Sequence, residues 1–193
     1  LGAFATCLAV WWVVGLADVG GALPVLVVPT VLLALGTAGY TAFLFGQCEG
    51  RDLWQEPLLL PVLLAQAVMA GGASWSLLDQ FLDVPSHGSV KWVFLAGLVA
   101  NATLVGLEVR GGHSRHVTMA IADLCHGAQR KRWREWLFCT VFSLLFLSLD
   151  VVFGEIVFDW TGPVQPIVPL AALYGLFAYE DAYVRAGQSV PLS

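Results

Sequence analysis

Charge is scarce in this chain. Lys, Arg, Asp and Glu together make 12% of 193 residues, about half the share of an ordinary soluble domain, which argues against a solvated globular surface. With so few cations and a net charge of −5, no basic patch for nucleic acid is expected. Cysteine is also sparse: Cys7, Cys48, Cys125 and Cys139 form no C-x-x-C pair, and the spacings that hold iron–sulfur centres or structural zinc are missing. Any iron–sulfur cluster must therefore sit in a partner. Histidine is limited to His87, His113, His116 and His126, all expected in loops, so no span offers an axial ligand and no haem is expected inside the bundle. His113-x-x-His116 with Cys125-His126 fits no strong zinc pattern, and a solvated or docking loop is the better reading, with no metal site. Residue 1 is Leu, and the first apolar run begins without a charged leader or a small-residue cleavage site, so the chain is expected to lack its beginning.

What is present in quantity is apolar. Hydrophobic residues make 58% of the chain and the mean hydropathy is +0.77, the composition of an all-α integral membrane protein. A helix needs about 20 residues to cross the hydrocarbon layer, and counting apolar runs on that scale gives about six transmembrane helices. They cover residues 1–17, 23–47, 57–79, 90–109, 136–158 and 164–186. Pro24 and Pro29 lie near the start of the second run, where a missing backbone donor does least harm. The run Ala70-Gly71-Gly72-Ala73-Ser74 in the third is a close-packing face, because small residues let helix backbones approach without a hydrophobic driving force. Between the fourth and fifth lies a basic loop, residues 110–134, in which Val117, Ala120, Ile121 and Leu124 have helical spacing and predict one amphipathic helix at the membrane surface.

Alternating spans place the Arg51 loop, the 110–134 loop and the C-terminus on one side. Eight of the nine Lys and Arg fall there, and only Lys91 lies opposite. A miscounted helix would scatter the cations over both faces, so the asymmetry supports the count, and the positive-inside rule would make the basic face cytoplasmic.

Three groups of residues can carry chemistry. Tyr40 sits inside the apolar layer just before the loop that carries Glu49, Arg51, Asp52 and Glu56. An unpaired hydroxyl in hydrocarbon costs roughly 2–7 kcal/mol, so the phenol is either an interfacial belt tyrosine or is hydrogen-bonded by protein or ligand. Asp150 and Glu155 fall within the fifth run, with Asn101 at mid-depth in the fourth. Ionisable groups at such depth mark proton or ion paths by default, the alternative being a neutral acid bonded to a neighbour such as Asn101. Five residues apart, the two acids point about 140° away from each other and make no simple paired site. Glu180 and Asp181 are spaced to pair with Arg185 one turn on.

The pattern Tyr40-Thr41-x-Phe43-Leu44, then Gly50-Arg51-x-Leu53-Trp54, then an apolar helix opening at Pro57, and finally Ala186-Gly187-Gln188, resembles the NrfD/PsrC family, the membrane subunit of polysulfide-reductase-like complexes. The resemblance implies part of a fold of about eight helices in two four-helix bundles. Residues 1–56 would be the last two helices of a first, quinone-site bundle, and residues 57–193 the second four-helix bundle. It implies a membrane anchor and quinone-binding subunit in a bacterial or archaeal inner membrane, passing electrons between menaquinone or ubiquinone and an iron–sulfur partner subunit, with a further catalytic subunit beyond. Tyr40 would hydrogen-bond a quinone carbonyl, and Arg51, Leu53 and Trp54 would form the loop lying against the iron–sulfur subunit. In polysulfide-reductase-like members that loop faces outward, which opposes the positive-inside argument. The family's arginine in the last helix is replaced here by Glu180-Asp181. A proton- or ion-translocating subunit using Asn101, Asp150 and Glu155 is the alternative.

Overall fold

The structure, a computed structural model, describes residues 1–17, 21, 23–79, 81–82, 87–111, 114–153 and 166–190. Seven α-helices occur among them: α1 (Gly2–Leu16), α2 (Leu23–Gly46), α3 (Leu59–Leu78), α4 (His87–Arg110), α5 (Arg115–His126), α6 (Arg130–Phe153) and α7 (Ile167–Ser189). A short 3-10 turn, Asp52–Gln55, joins α2 to α3. The chain is an all-α membrane protein: α2, α3, α4 and α6 are each long and apolar enough to cross a bilayer. Of the remaining two expected spans, α1 has only 15 residues, and α7 has 23 but carries Glu180, Asp181 and Arg185.

Helices α3, α4, α6 and α7 close a four-helix bundle in which α3 packs on α4, α6 on α7, α3 on α7 and α4 on α6. Small residues set the approach. A Cβ on Gly97 would lie 2.6 Å from the Met69 backbone nitrogen, and one on Gly72 would lie 2.7 Å from the Phe94 Cα. The small run of α3 is thus the α3–α4 seam, the close approach that small residues allow between membrane helices. Gly175 does the same for α6 and α7, where a Cβ would stand 2.8 Å from the Cys139 Cβ.

The basic connection differs from its expected form. Arg130–Arg134 belong to the first turns of α6 rather than to a loop. The amphipathic helix exists, capped by Ser114, whose hydroxyl accepts from the Val117 amide at 3.3 Å. Its apolar face is not laid on lipid. Val117, Ala120 and Leu124 are buried in one cluster with Leu53, Trp54, Trp136, Tyr179 and Tyr183, so α5 closes the basic end of the bundle as a lid of protein on protein. A second cluster, with Met69, Phe94, Leu98, Leu147 and Val168, fills the opposite half.

Helices α1 and α2 form a hairpin leaning on α3. No residue of α1 is buried. The hairpin is joined by a contact of 3.0 Å between the Cys7 thiol and the Thr30 hydroxyl.

Candidate functional site

The basic end of the bundle holds a buried polar cluster centred on Glu108, near the end of α4. Glu108 is 2% exposed. From α7, the Tyr179 hydroxyl donates to Glu108 Oε2 at 2.9 Å, and Tyr183 Oη lies 3.1 Å from Oε1 and 2.8 Å from the Leu53 carbonyl oxygen. The i, i+4 spacing of Tyr179 and Tyr183 puts both phenols on one face of α7, and Trp136 stacks on Tyr179 with ring centroids 5.5 Å apart. A carboxyl at this depth requires hydrogen-bonding partners, since a polar group left bare would cost several kcal/mol, about 2–7 on transfer scales.

Beside it, α2, α3 and α7 form a small, partly open cleft lined by Phe45, Val62, Gln66, Glu180 and Tyr183. Gln66 is 4% exposed. It lies next to the Glu180 carboxylate, yet neither of its amide atoms makes a well-aligned hydrogen bond.

The residues singled out in the Gly-Arg-x-Leu-Trp loop face inward. Leu53 and Trp54 are buried. Arg51 Nη1 donates to three carbonyls at the end of α7, Gly187 and Gln188 at 2.9 Å each and Val190 at 3.0 Å. These are acceptors that a helix C-terminus leaves unsatisfied, and a cation suits the negative end of the dipole. Trp54 lies flat against Gly187, where a Cβ would meet its ring at 2.8 Å, and the Arg51 guanidinium sits over the same indole at 5.9 Å. Gly50 opens the loop with φ of 82°, a left-handed conformation that glycine adopts at no steric cost. The loop motif and the Ala186-Gly187-Gln188 motif are thus the two halves of one contact.

Tyr40 lies on the outer side of α2, 48% exposed, one turn before the exposed Phe43 and Leu44. It is not brought near the Glu108 cluster. Asp150 is not bonded to Asn101: it pairs with Lys91 Nζ at 2.8 Å, at the wall of a partly open pocket lined also by Ser76, Asp79, Phe94, Phe146 and Val168. Asn101 stands ten residues, about 15 Å, further along α4, with its Nδ2 4.0 Å from the Met69 sulfur. Glu155 lies outside the described residues, as does His113. His116 and His126 are on α5 rather than in a loop, and no group of three metal-binding side chains occurs among the described residues. Asp181, not Glu180, answers Arg185, at 2.7 Å, and is also bridged by Arg132 of α6 at 3.3 Å.

Glu108, Tyr179, Tyr183 and Gln66 were not among the residues that the sequence singled out. The signal was Tyr-x-x-x-Tyr in the last helix facing a glutamate near the end of another. The fold and these sites define a polytopic all-α membrane protein with a polar cluster inside its bundle. Among known proteins, the chain matches no family model, no curated protein and no solved structure.

Proposed function

We propose that this chain is the membrane-embedded, quinone-linked subunit of a respiratory oxidoreductase complex, as its resemblance to the NrfD/PsrC family implies. It would pass electrons between membrane menaquinone or ubiquinone and an iron–sulfur partner subunit in a bacterial or archaeal inner membrane. The observation that carries this reading is Tyr40: an exposed phenol on an apolar helix face, hydrogen-bonded to none of the described residues. A hydroxyl in that setting takes its partner from beyond the described residues, and a quinone carbonyl among apolar side chains supplies an acceptor. The quinone, when bound, carries the two-electron chemistry, while the protein contributes orientation through Tyr40 and an apolar face. Arg51, by fastening the buried Leu53–Trp54 turn to α7, holds the basic end of the bundle in one shape, against which a partner subunit, with a further catalytic subunit beyond it, can dock.

Replacing Tyr40 with Phe removes only the hydroxyl. Quinone-linked turnover is expected to fall while the level of assembled complex in the membrane stays normal, and turnover unchanged from wild type would reject Tyr40 as the quinone contact. The second reading, a proton- or ion-translocating subunit, draws on the Lys91–Asp150 pair beside its cavity, because charged groups within membrane helices are expensive and tend to mark transport paths. Under that reading Asp150→Asn uncouples transport from electron flow; intact coupling in the variant removes Asp150 from any path.

A further inference from the structure

The cations at the start of α6 take no part in either reading. Four of the chain's nine Lys and Arg stand within five consecutive positions, Arg130, Lys131, Arg132 and Arg134, and the fold makes these the first turns of α6. The placement is locally unfavourable. No acidic residue lies in the first turn, Arg130 and Arg134 repel each other at i, i+4, and the positive end of the helix dipole repels both. Local rules broken in this way point to a demand from outside the helix.

The fold itself answers one of the four. Arg132 turns inward, donating to Glu135 Oε2 at 3.2 Å, bridging to Asp181 of α7 at 3.3 Å and lying over the Phe177 ring at 5.6 Å. Glu135 also accepts from the Tyr174 hydroxyl at 3.1 Å. Lys131 Nζ reaches it only at 4.0 Å, and that side chain is 88% exposed. Arg130 and Arg134 are exposed and pair with no acid among the described residues.

Below these cations the helix is bare and apolar. At 3.6 residues per turn, Arg130 and Arg134 share an arc of about 100° with Leu137, Phe138, Val141, Leu145 and Val152, all of them exposed. The buried side, with Trp136, Cys139, Ser143 and Leu147, is opposite. Arg130, Lys131, Arg134, Glu135 and Phe138 line one shallow, open concavity at the top of this stripe. From Leu137 to Val152 the stripe runs about 22 Å, more than the roughly 15 Å that one leaflet contributes to the hydrocarbon layer.

We infer that this face of α6 is a binding site for an anionic phospholipid, its phosphate held by Arg130 and Arg134 with Lys131 beside them, and its acyl chain lying along Phe138 and Val141. A guanidinium presents parallel N–H donors that match two phosphate oxygens, and each cation near the membrane surface adds attraction to an anionic lipid. The sign of the headgroup follows from the charge count. Three outward cations face one carboxylate that is already engaged, so a lipid of net negative charge is favoured over a zwitterion, which brings a cation of its own. An acidic soluble protein would match the cations and leave the stripe bare, whereas a lipid answers both. The site stands whether or not Tyr40 meets a quinone.

The test uses the full chain in neutral micelles, titrated with phosphatidylglycerol and, separately, with phosphatidylcholine of the same acyl chains. Native mass spectrometry reads binding and thermal unfolding reads stability. Phosphatidylglycerol is expected to bind the more tightly and to raise the melting temperature, as any ligand of the folded state does. In Arg130→Gln/Arg134→Gln its affinity should fall about 30-fold, about 5-fold for each cation removed, while that of phosphatidylcholine stays unchanged. Both side chains are exposed and repel each other, so the double variant should melt in lipid-free micelles no lower than wild type; a clear drop would put the arginines in bonds within the protein and overturn the inference. Arg115→Gln takes an exposed cation from α5 and should leave the affinity unchanged; a loss of about 5-fold there would reduce the preference to net charge and reject the site. Equal affinity of wild type for the two lipids, or displacement of phosphatidylglycerol by an equal concentration of inorganic phosphate, rejects it too. So does an unaltered lipid preference in the double variant, and if that variant also loses a co-purifying protein, the face belongs to a protein partner.

Discussion

The α1–α2 hairpin and the α3–α7 bundle share a composition but not a structure. Both are apolar and rich in glycine, yet only 6% of the best apolar window of α2 is buried, against 39% for α3 and 33% for α4. The glycines show why. In the bundle Gly72, Gly97, Gly175 and Gly187 each stand against a neighbouring helix or loop, although Gly71, Gly88 and Gly106 are open; in the hairpin Gly2, Gly15, Gly36 and Gly46 have nothing within 4 Å of a virtual Cβ, while Gly39 meets the Leu60 side chain of α3 at 3.0 Å. Apolar side chains do not drive helices together in lipid, because the tails are equally apolar. Association comes from close backbone approach and from polar groups in need of partners, and the bundle has both. The hairpin has one thiol–hydroxyl contact, so its long apolar faces remain for lipid or for another protein.

That contrast can be broken or sharpened by substitution. The largest expected effect is at the α3–α4 seam. Gly97→Ala forces a methyl into the Met69 backbone and should cost about 1–3 kcal/mol, the usual penalty of overpacking. Gly36→Ala adds the same methyl in open space and should be neutral or stabilising by up to about 1 kcal/mol through helix propensity. Unfolding in mixed micelles measures both, and equal losses would erase the distinction between the two regions. Next is Arg51→Ala, which strips the α7 carbonyls of a charged donor and should cost about 2 kcal/mol. The melting temperature of the bundle reports it, and an unchanged value would mean that water replaces the guanidinium fully. The smallest effect is kinetic. Burial pushes the Cys125 thiol up from its ordinary value, so its thiolate is scarce at neutral pH and increases only above the ordinary thiol range. Maleimide should label the half-exposed Cys48 well before Cys125, and equal rates would show that α5 does not seal the basic end. Tyr40→Phe belongs to neither effect on stability, since its hydroxyl bonds no described residue.

Much of this arrangement was legible in the residues. Apolar runs of membrane length marked α2, α3 and α4 to within three residues, since a bilayer imposes length and composition directly on the sequence, and α6 with its start six residues late, because its first turns are basic. The spacing of Val117, Ala120 and Leu124 gave α5, but not that its apolar face would meet protein; amphipathicity reports a boundary and not what lies across it. The site was the less legible part. Glu108 is more than 70 residues from Tyr179 and Tyr183, and no local pattern says which helix faces which. Arg51, Leu53 and Trp54 were expected to face a partner. Their burial follows from the unsatisfied carbonyls of α7 and from Gly187, neither of which the loop itself announces. Asp150 was expected at depth, either on a proton path or bonded to a neighbour such as Asn101, whereas its partner is Lys91, the one cation assigned to the opposite side.

The Arg51 clamp also has a history in time. Its guanidinium closes on Gly187, 136 residues downstream. At a synthesis rate of about 5–20 residues per second, the loop waits roughly 7–27 seconds before its acceptors are made. For that interval the turn carrying Leu53 and Trp54 has no counterpart, and α7 has no cap. Insertion of the last helix is thus the event that finishes the first loop, and a nascent chain that stalls before α7 exposes at its basic face the residues that the finished protein hides.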